Sequence, residues 1–245
     1  MRIALFVPCY IDQFYPKVAI ATLALLERLG VEVVYPANQT CCGQPMANAG
    51  FEHVTKGTSN LFIKNFKSFD FIVSPSGSCV LHLKHHLASE TSKIEATAIR
   101  NKIYELTEFL TDVLKIKNLS SYFPHVVGLH QSCHGQRGLM LAQMSEIVGT
   151  PFSKPEYLLN MVEGLRLVSL DRADECCGFG GTFCVTEEAV SVKMGLDRIR
   201  DHQAHGVEVI TGSDMSCLMH MEGLLRRERS TIKVAHIAEI LNCTM

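Results

Sequence analysis

With 245 residues, 47% of them apolar and 20% charged, the chain has the size and composition of one compact unit or of two small packed domains. Its 23 basic and 25 acidic residues give a formal net charge of −2, and no block of like charge offers the footprint of a nucleic-acid binder. No stretch approaches the roughly 18 uninterrupted apolar residues of a membrane span, and Met1 to Pro8 is apolar too briefly for a secretory signal, so a cytoplasmic protein is expected, membrane-associated only through partners.

In chain order, residues 2–7 read as a buried strand, and 17–29 have helical apolar spacing that stops at Gly30. Residues 31–35 form the next strand, 51–66 a helix and 70–74 a third strand, which runs into Pro75-Ser76-Gly77-Ser78-Cys79. A helix over 100–115 leads to a join at 118–124. The pattern then restarts with a strand at 125–130, a helix over 139–148 and a strand at 166–170. Thr186 is placed as the N-cap of a helix that ends at Gly206, with Glu187 and Glu188 in its first turn, where the helix dipole favours acids. A strand at 207–211 and a helix over 217–229 follow, and residues 232–241 fit a short strand or a helix.

Strands alternating with helices predict an α/β fold of two pseudo-symmetric repeats, 1–118 and 119–245, each a small parallel sheet flanked by helices. The repetition is written into the text. Cys41-Cys42-Gly43 matches Cys176-Cys177-Gly178, and Ser78-Cys79-Val80-Leu81-His82-Leu83 matches Ser216-Cys217-Leu218-Met219-His220-Met221, in the same order. Cys9 and Cys133 each follow the first strand of their half, so eight cysteines fall at the carboxyl ends of strands, where such sheets bind ligands.

Ten cysteines suit a disulfide scaffold only in a small secreted chain. Here they point to metal. Thiolates are soft ligands for Zn²⁺ and for iron–sulfur clusters, and four converging thiolates need a cation to neutralise them. Each half supplies four: Cys9, Cys41, Cys42 and Cys79, then Cys133, Cys176, Cys177 and Cys217. Gly43 and Gly178 would permit the sharp turn that two adjacent ligands require. Cys184 and Cys243 have no counterpart and are read as small buried hydrophobes. His82 and His220, three residues beyond the last cysteine of each set, are candidates for ligands, for donors to sulfur or for plain packing, and His130 and His134 beside Cys133 are open to the same three readings. His85-His86 reads as a solvated helix end. Gly180-Gly181 is read as a flexible turn rather than an anion cradle. There is no Walker sequence, dinucleotide fingerprint, nucleophile elbow or His-Glu-x-x-His.

At these residues the chain resembles the cysteine-rich "CCG" domain family, which includes the lactate utilisation protein A group, the glycolate oxidase iron–sulfur subunit and the cysteine-rich subunit of heterodisulfide reductase. Pro75-Ser76-Gly77-Ser78-Cys79, Cys176-Cys177-Gly178-Phe179-Gly180-Gly181-Thr182-Phe183 and Ser216-Cys217-Leu218-Met219-His220 favour the lactate utilisation branch. The resemblance implies iron–sulfur clusters, one or two per chain and most simply 4Fe–4S, held by the two cysteine quartets. It also implies electron transfer during oxidation of L-lactate to pyruvate, with sister subunits and an electron-accepting protein or quinone pathway as partners. The chain itself would be a non-catalytic or jointly catalytic subunit. In the heterodisulfide reductase pattern each set ends with Cys-x-x-Cys, but here Ser76 and Asp214 stand at the first of those positions. That puts a five-thiolate cluster and a thiol–disulfide reductase in second place, and opens an oxygen ligand from Ser76 or Asp214. A zinc-stabilised interaction module is the non-enzymatic alternative.

Overall fold

The computed structural model describes residues 1–88 and 93–244. The first half runs β1 (Arg2–Leu5), α1 (Cys9–Phe14), α2 (Pro16–Arg28), β2 (Glu32–Val34), α3 (Gln44–Asn48), α4 (Lys56–Phe66), β3 (Phe71–Ser74), α5 (Gly77–His86), α6 (Lys93–Arg100), β4 (Ile103–Glu105) and α7 (Leu106–Glu108), which continues into a π-helical turn, Phe109–Val113. The second runs β5 (Val126–Leu129), a π-helical turn (His134–Gly138), α8 (Lys154–Leu159), β6 (Arg166–Val168), α9 (Phe183–Thr186), α10 (Glu188–Ala204), β7 (Val209–Gly212), α11 (Met215–Arg227), β8 (Lys233–His236) and α12 (Ile237–Asn242). The strand orders, β2-β1-β3-β4 and β6-β5-β7-β8, are the same, and every pairing is parallel. The expected α/β architecture of two small parallel sheets is therefore present.

The central strands β1 and β3 are buried on both faces, as parallel strands flanked by helices must be. In α2, Val18, Ala21, Thr22, Leu25 and Leu26 form the inward stripe, Pro16 occupies the first turn where its missing N–H costs nothing, and Gly30 at φ +78° ends the helix. One core cluster takes residues from both sheets, including Ile3 and Leu5 of β1 with Val127 and Leu129 of β5. Arg28 extends this join, donating to the carbonyl oxygens of Leu241 at 2.7 Å and Asn242 at 3.4 Å and so satisfying the last turn of α12.

Four expectations need correction. The helix expected over 100–115 is interrupted by β4, which pairs with β3 through Ile72↔Ile103 and Val73↔Tyr104. The tail at 232–241 holds both a strand and a helix. Both segments share a device: Glu105 and His236, fully buried, each cap the following helix in a reciprocal capping box with Glu108 and Glu239. No helix covers 139–148, because Met140 sits at φ +54° and the backbone pairs laterally, with Gln143 N donating to Phe152 O at 2.7 Å and Lys154 N to Leu141 O at 2.8 Å. Thr186 closes α9 rather than capping the next helix, and Glu187 precedes α10 without a side-chain cap bond.

Besides the packing of α2 on α12, the halves meet through two equivalent contacts. Helix α5 packs against the turn His134–Gly138, and its counterpart α11 packs against α1. In the first, Gly138 faces Leu81 of α5 so closely that a Cβ there would overlap Leu81 Cδ2. In the second, Tyr15 Oη donates to Glu222 at 2.7 Å, while Tyr10 meets the ring of Phe179 edge-on at 6.1 Å. Between them lies a single antiparallel bridge, Ser76↔Asp214, with Gly77 N donating to Ser213 O at 3.2 Å. Each cysteine-bearing segment after a first strand thus packs on the cysteine-bearing helix of the opposite half. No helix among the described residues is long and apolar enough to cross a membrane.

Candidate metal centres

Cys9 opens α1, Cys79 lies in the first turn of α5, and Cys41 and Cys42 sit in the loop before α3. Cys9 Sγ is 3.8 Å from Cys41 Sγ, and Cys42 Sγ is 3.3 Å from Cys79 Sγ. Cys41 and Cys42 influence each other's ionisation and so link the two pairs. In the second half the same electrostatic coupling runs from Cys133 to Cys176, Cys176 to Cys177 and Cys177 to Cys217, and the sulfurs of Cys177 and Cys217 lie within 4.8 Å of each other. Cys42, Cys79, Cys177 and Cys217 are buried, while Cys9, Cys41, Cys133 and Cys176 are half-buried.

The turn that aims two adjacent cysteines at one point depends on glycine. Gly43 sits at φ +91° and Gly178 at φ +84°, and each donates its N–H at 3.4 Å to the first sulfur of its pair, Cys41 or Cys176. The surroundings favour ionisation of those two sulfurs. Hydrogen bonds from Cys42 and Cys9, aided by the Gly43 N–H, hold Cys41 down at about 2 against the opposing effect of burial. Cys176 is likewise held at about 2 by Cys133, Cys177 and the Gly178 N–H. Donation to Cys41 together with burial pushes Cys9 and Cys42 well up, and Cys133 and Cys177 are raised in the same way by Cys176. Ionisation of Cys41 and Cys176 is thus favoured at the expense of the sulfurs that donate to them. Ionising the others requires a cation among them.

The donor chemistry suits such a cation, since soft thiolates bind zinc and iron. In the first quartet the Cys9–Cys41 and Cys42–Cys79 pairs lie 3.8 and 3.3 Å apart, but no three of its sulfurs lie within 4.8 Å of one another, so the four are spread more widely than donors closed on one ion. Space for a larger group adjoins both quartets. A single cavity of about 470 Å³ is lined by Cys9, Cys42 and Cys79 from one set and by Cys133, Cys176, Cys177 and Cys217 from the other.

The oxygen candidates are engaged elsewhere. Ser76 Oγ accepts from Cys79 N at 3.4 Å. Asp214 Oδ2 accepts from Ser78 N of the other half at 2.7 Å, and its Oδ1 accepts from the hydroxyl of Ser216 at 2.9 Å. Both residues cap cysteine-bearing helices and fix their first turns, though both also border the cavity.

Among the histidines, His82 is buried and lies beside Cys41. Burial, with the neighbouring His86, lowers it to about 4, and its ring stacks on that of His86 at 5.1 Å. His86, expected as part of a solvated end, also pairs with Glu52 at 3.0 Å. His220 is lowered by burial, and its Nε2 lies 3.3 Å from Ser191 O. His134 Nδ1 is 3.8 Å from Cys133 Sγ. His130, which the sequence left among several alternatives, stands out: a ring nitrogen and the sulfurs of Cys177 and Cys217 lie within 4.8 Å of one another. Cys184 is outside the second group, its thiol donating to Gly181 O at 3.0 Å, and Cys243 is half-buried at the end of α12. Gly180 and Gly181, at φ +55° and +67°, form a turn before the four-residue α9.

Comparison with known proteins agrees with this internal duplication. The cysteine-rich domain family CCG matches twice, at residues 3–84 and 127–222. A protein named lactate utilization protein A from Macrococcus caseolyticus (strain JCSC5402) is 41% identical over 246 residues, covering 99% of this chain and 96% of the relative. The protein of that name from Bacillus subtilis (strain 168) is 38% identical, with 99% of each chain covered. Among solved structures, a hypothetical protein from Helicobacter pylori superposes with a TM-score of 0.61 at 12% identity, a likeness of fold. It covers 98% of this chain, which spans about half (48%) of that longer one. The chain belongs to the cysteine-rich CCG domain family, within the group of proteins named lactate utilization protein A.

Proposed function

We propose that this chain is the electron-carrying subunit of a cytoplasmic L-lactate-oxidising complex. Cys9, Cys41, Cys42 and Cys79 hold one iron–sulfur centre, and Cys133, Cys176, Cys177 and Cys217 hold a second. The observation that carries the reading is that both quartets open on one cavity. Conversion of lactate to pyruvate releases two electrons and two protons, and two one-electron centres facing a common space match that electron count. The names of the relatives support lactate as the source of the electrons.

An iron–sulfur cluster, when bound, supplies a one-electron couple whose potential depends on its charge, the hydrogen bonds to its sulfurs and its exposure. The chain's own residues set those terms. The Gly43 and Gly178 amides donate toward the sulfurs of Cys41 and Cys176. Burial of Cys42, Cys79, Cys177 and Cys217 keeps bulk water from one side of each quartet. His82 and His220 present rings near Cys41 and Cys176 that burial holds in the neutral form. Among the described residues lining the cavity there is no lysine or arginine to pair with the lactate carboxylate. Binding and deprotonation of lactate are therefore assigned to a sister subunit, and this chain passes electrons to a protein or quinone acceptor.

A second reading has its own support. Four-thiolate sites suit Zn²⁺ as well as a cluster on ligand type, which would make the chain a zinc-stabilised interaction module; a ring nitrogen of His130 and the sulfurs of Cys177 and Cys217, within 4.8 Å of one another, are a donor set of that kind. Anaerobic reconstitution separates the two. Stoichiometric iron and acid-labile sulfide are expected, with visible absorption that bleaches when lactate and the sister subunits are added. Stoichiometric zinc, no sulfide and no bleaching would replace the first reading by the second.

A further inference from the structure

The two halves are near copies, so a residue that differs between equivalent positions at the centres marks a chemical difference between them. Such a position follows the first strand of each half. In the first half Phe6 N donates to Val73 O at 2.9 Å, and in the second His130 N donates to Thr211 O at 2.7 Å. The strand registers beneath are the same, Leu5↔Val73 and Leu129↔Thr211. Phe6 and His130 are therefore structural equivalents.

Phe6 completes an apolar cluster, meeting the rings of Phe62 and Phe66 edge-on at 5.1 and 5.8 Å. His130 occupies the same place with an imidazole that is 2% exposed. Neither of its ring nitrogens has a hydrogen-bond partner. A buried ring nitrogen left without a partner is costly, so the site calls for one. It lies near the buried Arg198 and His202, and a ring nitrogen is within 4.8 Å of the sulfurs of both Cys177 and Cys217. Imidazole nitrogen is a common ligand for zinc and iron, and it binds iron alongside thiolate in known cluster types. The backbone bond to Thr211 and the absence of a side chain at Gly212, where a Cβ would come within 2.9 Å of His130 O, fix the approach of the residue.

We propose that His130 is a fifth protein donor at the second metal centre, binding metal beside Cys177 and Cys217 and making that centre chemically unlike the first. The proposal rests on the reading of the quartets as metal centres. Its consequence is an electronic difference between the two centres, because the potential of a cluster depends on its ligand set and charge.

The test uses the full chain, reconstituted anaerobically with iron and sulfide, carrying ¹⁵N-labelled histidine and examined by electron–nuclear double resonance. A strongly coupled histidine nitrogen is expected in the wild type. It should persist in His220→Gln and vanish in His130→Gln and in His130→Phe, which installs the first-half residue. In the variants the reduction potential of the second centre should shift while that of the first stays put. Cys42→Ser, which removes a ligand from the first centre only, keeps the experiment decisive where a His130 variant does not fold, because its remaining centre must still show the nitrogen. A loaded second centre with no histidine coupling, or a coupling that survives His130→Gln, overturns the proposal and leaves the metal reading standing. A wild-type chain that takes up neither iron nor sulfide overturns both.

Discussion

Cys42→Ser should empty the first metal centre and spare the second. Cys42 is the middle of its quartet: its sulfur is 3.3 Å from Cys79, its ionisation is linked to that of Cys41, and it is buried. Serine places a hard, neutral hydroxyl where a soft thiolate is required. Loss of an outer-shell partner alone typically weakens metal binding 10–100-fold, so loss of a central ligand is expected to cost more than about 100-fold. Iron and sulfide per chain should fall to about half of wild type. Cys177→Ser, the equivalent change, should remove the other half, and the double variant should hold almost none. Cys184→Ser and Cys243→Ser should load fully, since neither residue belongs to a quartet. A chain in which either single substitution abolished all metal would instead hold one group shared across the cavity. Full loading in both would show that these sulfurs are not ligands.

Gly178→Ala should destabilise the apoprotein far more than Gly43→Ala, although the two glycines occupy the same place in the repeat. Both have positive φ, which costs a residue with a Cβ about 1–2 kcal/mol. Their surroundings differ. A Cβ on Gly178 would lie 2.7 Å from Ser191 O and 2.7 Å from Met194 Cβ, and the backbone of α10 cannot step aside. Ser191 is also tied to this turn, its hydroxyl donating to Gly178 O at 2.8 Å. At Gly43 the nearest atom is Thr55 Cβ at 3.3 Å, a contact that a small shift relieves. Adding an overpacking cost of about 1–3 kcal/mol gives roughly 2–5 kcal/mol for Gly178→Ala against about 1–2 for Gly43→Ala. By thermal unfolding, at about 2–4 °C per kcal/mol for a chain of this size, the difference is easily measured. Equal, small shifts would mean that the second turn does not need its close approach to α10.

Much of the fold was legible because duplication makes a sequence report twice on each element. The matched Cys-Cys-Gly and Ser-Cys texts located equivalent strand ends, and the strands around them are where the pattern placed them. Two elements escaped for a physical reason. β4 and β8 are edge strands of three and four residues, too short for a periodic signal, and each runs straight into a helix. Their signal lay in the repeat: Glu105-Leu106-Thr107-Glu108-Phe109-Leu110 parallels His236-Ile237-Ala238-Glu239-Ile240-Leu241, the same capping box twice. The helix expected over 139–148 rested on apolar spacing alone, and lateral backbone pairing across the loop to 152–154 took its place.

At the site, the two local cysteine-rich segments of each half and the positive φ of the two turn glycines were readable from the repeated text. The shared cavity was not, because it arises from the crossed packing of α5 and α11 on segments of the opposite half, which no local pattern encodes. Nor was the distinction among histidines. His82 and His220 are repeated in the text, whereas the unrepeated His130 comes nearest to two sulfurs because it extends β5 beside β7. Ser76 and Asp214 replace cysteines of a related pattern, and their capping of opposed helices explains how each position is used once its thiol is gone.

The central claim is that each quartet grips its own inorganic centre and that both centres face one space. Diffraction from anaerobically grown crystals, with anomalous data collected on both sides of the iron absorption edge, reads this directly. Two iron peaks are expected, one among Cys9, Cys41, Cys42 and Cys79 and one among Cys133, Cys176, Cys177 and Cys217, on facing walls of the cavity. Crystals of reconstituted protein with no anomalous density at either quartet, and with those sulfurs turned apart or paired as disulfides, would contradict it.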